Sequence, residues 1–243
     1  MPSMKLGDTA LIVAECRKRG LLRNQCAYVL ATAYHETAHT MKPVRETLAK
    51  SDAQAKAVLS RAWKTGKLRQ VKRDYWSDGW FGRGYVQLTH EKNYAKAGKA
   101  LGVDLVGNPG LALEPTIAAK ILVDGMTKGM FTGKKLSDYI NENKVDYRGA
   151  RRIVNGTDRA ADIAKYAVTF EAALRVAGYV ALAPVAAPPA PAKPVDTPKP
   201  QPVPQPVPVP PVASKPARKS PAAAIIAAVL AIAAAAIAYF TKG

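Results

Sequence analysis

Two stretches of the 243-residue chain place polar side chains at spacings that could do chemistry. The first is His35-Glu36-Thr37-Ala38-His39. On a continuous helix its two imidazoles lie one turn apart on one face, with Glu36 beside them. That pattern can hold a zinc ion with the carboxylate as base. A catalytic zinc needs a third ligand, and the remaining histidine is His90. Glu46 could serve, but Pro43 would end or kink the helix before it. The same residues support a second reading that needs no metal. Glu36 closes a largely apolar run containing Ala27, Val29, Leu30 and Ala33. Partial burial there favours the protonated form that a general acid requires. Glu46 follows ten residues later, across a turn, with Asp74 and Asp78 as fallback carboxylates. Two carboxyls suit hydrolysis of a glycosidic bond, one protonating the leaving oxygen and the other activating water. Two surface glutamates would show the same spacing, so the pair alone does not decide.

The second stretch is Phe81-Gly82-Arg83-Gly84-Tyr85-Val86-Gln87-Leu88-Thr89, with Asn93 four residues beyond. Its glycines permit tight backbone, and Gln87, Thr89 and Asn93 are neutral hydrogen-bonding groups that could line a sugar cleft. FGRGYVQLT resembles the FYGRGPIQLS signature of glycoside hydrolase family 19, the chitinases and related phage lysozymes. His35-Glu36-Thr37 is similar to that family's HET, and Ile153-Val154-Asn155-Gly156 to its later I-I-N-G segment. The three motifs stand in the family's order over roughly residues 25–175. The resemblance implies a mainly α, lysozyme-like bilobal helical domain with a minor β-hairpin. It implies Glu36 as general acid, Glu46 as general base in an inverting mechanism, and Thr89 as the hydroxyl that holds the attacking water. Gln87, Asn93 and Asn155 would contact the sugar, joined by Arg83 and Tyr85 within the motif; Tyr85 stands where the family has proline. It implies no cofactor and no metal. The short interval between Glu36 and Glu46 looks like the compact phage lysins rather than the plant chitinases. The substrate would then be peptidoglycan glycan strands, with chitin as the alternative. A zinc peptidase on the HETAH pattern and a non-catalytic tethered binding protein stay open.

The elements that must position these residues are mostly helical. Asp8 is placed to cap a helix running to about Arg19, stopped by Gly20. A second helix is expected from about Leu22 to His39. Ser51-Asp52-Ala53-Gln54 reads as a capping box opening a helix to about Lys64. Residues 74–89 read as loop plus a short strand or hairpin. Further helices are expected near 90–101, 115–129, 135–141, 146–154 and 159–178. Cys16 and Cys26 are expected as two buried thiols.

Composition sets this domain apart from the rest of the chain. Residues 1–180 carry 30 of the 36 Lys+Arg and 17 of the 18 Asp+Glu, a net charge of +13 within a total of +18. Such charge suits an anionic partner, and the absence of ordered aromatics or a base-reading motif argues against nucleic acid. Fifteen of the 19 prolines lie between Pro184 and Pro221, so residues 181–221 read as an extended Pro-rich linker. Residues 222–240 are 19 consecutive uncharged, mostly apolar residues, 11 of them alanine, and are expected to span a membrane as a single-pass C-terminal anchor. The charge bias around that segment places its N-terminal side in the cytoplasm. The run Ala10–Ala14 is too short for an export signal. These features suggest the bacterial host inner membrane, with holin dependence, as the setting. A virion-associated enzyme, or one held in the host cytoplasm before lysis, is the alternative.

Overall fold

The apolar residues of the N-terminal 180 positions recur at helical spacing, and in the computed structural model they form helices that share buried faces. The structure describes residues 2–69 and 71–182. Its helices are α1 (Thr9–Lys18), α2 (Arg23–Glu36), α3 (Asp52–Lys64), α4 (Glu91–Leu101), α5 (Pro115–Lys128), α6 (Leu136–Tyr139) and α7 (Ala160–Val176). The only strands among the described residues are β1 (Val44–Arg45) and β2 (Arg83–Gly84). The described residues are therefore mainly α with a small β element.

Buried residues form two clusters. The larger takes Ile12 and Cys16 from α1, nearly the whole of α2, Leu122 and Met126 from α5, and Ile163, Ala167, Phe170 and Leu174 from α7. Ala27, Val29, Leu30, Ala31 and Ala33 are all fully buried. An α-helix apolar on all sides must be enclosed by other elements, and α2 is the central helix here. Cys16 and Cys26 are free, buried thiols in this core. Burial, with Cys26 as neighbour, pushes the Cys16 thiol well up from its ordinary value. The smaller cluster joins Ala55, Leu59 and Ala62 of α3 to Ala49, Leu68, Val71, Tyr75, Trp76 and Phe81.

Local chemistry explains where elements start and stop. Ser51 Oγ accepts from the Gln54 N–H at 3.2 Å, so α3 opens where its capping pattern places it. The return bond shifts by one residue: Gln54 Oε1 accepts from the Lys50 N–H at 2.7 Å. Asp8 precedes α1 as expected but makes no side-chain cap. Its carboxylate instead accepts from the Tyr85 hydroxyl at 2.6 Å. The expected 146–154 helix is a short 3-10 segment, Gly149–Ile153.

The β element differs from a purely local hairpin. Arg83 and Leu88 do close a tight turn, exchanging N–H···O bonds of 3.2 and 2.9 Å. The strand partner of β2, however, is β1, antiparallel, with Val44 opposite Gly84 and Arg45 opposite Arg83. Two arginines facing each other across strands repel. Asp52 offsets this, accepting from Arg45 Nε at 2.6 Å and from Arg83 Nη2 at 2.8 Å. Among the described residues no helix is long and apolar enough to cross a membrane. The expected linker beyond residue 182 and the expected 222–240 span lie outside the described residues.

Candidate active site

Glu36 is the last residue of α2, and the helix ends there rather than at His39. The stop comes from Thr37, whose hydroxyl donates to the Ala33 carbonyl at 2.7 Å and accepts from the Met41 N–H at 3.0 Å. Ala38, His39 and Met41 then adopt positive φ of 51°, 68° and 54°. His35 and His39 therefore do not share a helical face, and the geometry that a zinc-holding His-Glu-x-x-His helix requires is not formed. His39 stacks on Tyr34 at 4.3 Å between ring centroids instead. His90 packs edge-on against Tyr75. Among the described residues no group of three or more His, Cys, Asp or Glu is placed to hold a metal ion. Burial lowers His35, His39 and His90 from their ordinary values, consistent with neutral packing roles.

The Glu36 side chain is fully enclosed, but not by apolar groups alone. Arg151, equally buried, donates from Nη1 to Glu36 Oε1 at 2.6 Å. This partner lies 115 residues away and escaped the sequence reading. The available signal was Arg151's place two residues before the Ile153-Val154-Asn155-Gly156 motif. Arg151 Nε donates to the Asp158 carbonyl at 3.1 Å, and the Asn155 N–H donates to the Arg151 carbonyl at 3.0 Å. Glu36 Oε2, Arg151 Nη2 and Asn155 Nδ2 are buried and have no hydrogen-bond partner among the described residues. Unmet polar groups are uncommon in a protein interior and call for a specific explanation. Here a polar ligand could meet them.

Glu46 follows β1 directly and is 2 % exposed. Its Oε1 accepts from the Tyr75 hydroxyl at 2.8 Å and its Oε2 from the Gly82 N–H at 2.7 Å. The Glu46 N–H in turn donates to the Gly82 carbonyl at 2.7 Å. Burial pushes its carboxyl up to about 7, against the opposing pull of Gly82, Tyr75 and Arg83. The glycine-rich motif and the second carboxylate are thus one hydrogen-bonded unit. The fallback Asp74 is occupied by its own turn, accepting from the Trp76 and Ser77 N–H groups at 2.9 and 3.0 Å. Asp78 is exposed.

Gln87, Thr89 and Asn93 come together, lining with Val86, Leu88, Phe131 and Val154 a cavity of about 30 Å³. Thr89 Oγ1 donates to the Gln87 carbonyl at 2.8 Å. That leaves the oxygen's lone pairs to accept from a water. Asn93 Nδ2 donates to the Thr89 carbonyl at 2.7 Å, and Gln87 Nε2 to the Val44 carbonyl at 3.0 Å. Gln87 is thus tied back to β1. Arg83 and Tyr85 depart from their expected sugar contacts. Arg83 is 2 % and Tyr85 0 % exposed, so neither offers a surface. Arg83 sits 3.8 Å over the Phe81 ring and donates to Gly79 and Tyr94. Tyr85 spends its hydroxyl on Asp8.

Residues 25–128 match the glycoside hydrolase 19 family model, described as chitinase class I. The match includes Glu36, Glu46 and the 81–93 segment but ends before Arg151 and Asn155. Acidic endochitinase Q of Nicotiana tabacum is 45% identical over 60 residues, covering 24% of each chain. The acidic 26 kDa endochitinase of Solanum lycopersicum is 45% identical over 62 residues, again 24% of each. Endochitinase 1 of Theobroma cacao is 55% identical over 42 residues, 17% of this chain and 13% of that protein. The matched stretch thus spans about a quarter or less of these relatives' length. Chitinase C of Streptomyces griseus aligns in structure with a TM-score of 0.46 at 18% identity, over 72% of this chain and 69% of that one.

Proposed function

We propose that this chain is a glycoside hydrolase that cleaves β-1,4 links in peptidoglycan by inverting acid–base catalysis. The observation that carries the reading is the convergence of three distant motifs. The 81–82 backbone holds Glu46, Arg151 ahead of Asn155 holds Glu36, and Val154 shares a cavity with Gln87, Thr89 and Asn93. Glu36 transfers a proton to the glycosidic oxygen as the C–O bond breaks. Glu46 takes a proton from a water, steadied by Thr89, that attacks the anomeric carbon from the opposite face. The leaving sugar departs as an alcohol and the new reducing end has inverted configuration. Asn155 Nδ2 and Arg151 Nη2 are buried donors without partners among the described residues, and sugar hydroxyls reach them only as the groups over them move aside.

Chitin is the second reading, supported by the endochitinase names of the matched relatives. The domain's net charge of +13 favours the anionic wall polymer over neutral chitin. In this proposal residues 222–240 anchor the enzyme at the host inner membrane, the Pro-rich linker gives it reach, and a holin gives it access. The deciding measurement is release of reducing ends from purified peptidoglycan and from chitin oligomers, with mass spectrometry of the products. Glu36→Gln should lower turnover by about 10²–10⁴-fold, and a chelator should have no effect. Full activity of Glu36→Gln on both polymers would overturn the proposal.

A further inference from the structure

The surface around the smaller core carries a charge cluster outside the catalytic groups, one that the domain's net charge of +13 includes but does not explain. Residues 53–73 contain no Asp or Glu and seven basic residues: Lys56, Arg61, Lys64, Lys67, Arg69, Lys72 and Arg73. All but Lys56 are exposed. Among the described residues none of these six exposed side chains takes part in an ion pair. The outward direction follows from the packing. Leu68 and Val71 are buried in the smaller core at 0% and 3% exposure, which turns Lys67, Arg69 and Lys72 to solvent. Tight turns fix this path, the Lys67 N–H donating to Ala62, Arg69 to Gly66 and Val71 to Leu68. Arg61 and Lys64 suit the C-terminal end of α3 by its dipole. Lys67, Arg69, Lys72 and Arg73 lie beyond the helix and have no such reason to gather.

A second observation points to the partner. Trp63, amid these cations, is 41% exposed. Its ring is held edge-on by the buried Trp76 at 5.6 Å and 81°, and Trp76 Nε1 is itself fixed by Ser60 at 2.9 Å. An indole held at the surface among long cationic side chains matches the headgroup level of a bilayer, where Trp seats and Lys and Arg meet phosphates. A single-stranded polyanion would instead call for a succession of stacking aromatics. We propose that the surface presented by Trp63, Lys64, Lys67, Arg69 and Lys72 docks this part of the protein onto anionic phospholipid. This contact is separate from the catalytic groups and from residues 222–240.

The test is flotation of the full chain with vesicles of phosphatidylglycerol and phosphatidylcholine, and with phosphatidylcholine alone. The comparison is with a Lys64→Gln/Lys67→Gln/Arg69→Gln/Lys72→Gln variant. Residues 222–240 are common to both proteins, so the quantity compared is the salt-sensitive binding to anionic vesicles in excess of that to phosphatidylcholine alone. The variant should bind the anionic vesicles on the order of 100-fold more weakly at low salt, with the gap closing as salt rises. Lys67→Gln/Lys72→Gln, both outside α3, should give an intermediate loss should the fourfold variant misfold by far-UV ellipticity. Trp63→Phe should remove the blue shift of emission on anionic vesicles. Equal vesicle binding by wild type and folded variants would overturn the proposal. So would unchanged vesicle binding accompanied by a loss of binding to polyphosphate or duplex DNA, which would make the surface a polymer site.

Discussion

At the residue scale the two carboxylates are held in opposite ways, and each makes its own prediction. Glu36 sits beside Arg151, both side chains essentially fully buried. Removing one member of such a pair leaves the other's polar group enclosed without its partner. Arg151→Ala should therefore cost about 3–5 kcal/mol in urea denaturation. A Glu36→Gln/Arg151→Met double variant should recover much of that loss; additive losses would argue against the coupling. Glu46 has donors on both oxygens but, among the described residues, no cation hydrogen-bonded to it, and burial lifts its carboxyl from 4.5 to about 7. Between those values the folded state keeps a proton that the unfolded chain has released. Stability contributed by this group is thus present below about 4.5 and is lost as pH rises to 7, by on the order of 3 kcal/mol in all. Glu46→Gln should flatten that slope in denaturation midpoints across the window. In the base role, kcat/KM should rise as pH passes through about 7 and level off above it. A fall through the same interval would assign Glu46 the acid role instead.

At the element scale the end of α2 aims Glu36, and Thr37 makes that end. Its hydroxyl both donates to Ala33 and accepts from Met41 in a buried setting. Thr37→Ala strands the Met41 N–H and should destabilise by about 1–3 kcal/mol, with Thr37→Ser restoring most of it. Equal stability of Thr37→Ala and wild type would remove Thr37 from this role. The same residue shows what a sequence conveys. The apolar period from Ala27 to Ala33 made α2 legible. Its stop did not, because a threonine returning its hydroxyl to the backbone competes with helix through a geometry that period does not encode. Ser51 and Gln54 were legible because a cap is a local contact. The Arg83–Leu88 turn was legible for the same reason, while the β1–β2 pairing joins residues 38 and 40 apart around Glu46. Gly84 marks that junction, with φ +86 and a would-be Cβ 2.7 Å from the Ala112 carbonyl oxygen. The motif's glycines permit tight backbone by their type alone, but the neighbour requiring it here comes from a remote segment. Arg151 belongs with these long-range features: its proximity to a motif was visible, its contact with Glu36 was not.

At the scale of the whole molecule the two cores are unequal, and this sets an order of opening. The smaller cluster has nine residues, three of them alanine, and α3 buries only Ala55, Leu59 and Ala62 in it. Regions with few buried apolar contacts open at lower free energy than the global transition. Yet Tyr75, a member of that cluster, holds Glu46, and Phe81 precedes the Gly82 N–H that holds its other oxygen. Opening the smaller core would therefore dismantle the base while α2, Glu36 and Arg151 stay packed in the larger one. In a Trp80→Phe background, emission from Trp63 and Trp76 reports the smaller core, while far-UV ellipticity is dominated by helices of the larger. The fluorescence transition in urea should precede the ellipticity transition, and activity should be lost with the first. Leu59→Ala, at a position with no exposure, should weaken the early transition by about 2–4 kcal/mol and leave the later one in place. Coincident transitions would mean instead that the Arg83–Asp52 pair and the β1–β2 contact bind both cores into one cooperative unit. Loss of Glu46 geometry would then require global unfolding.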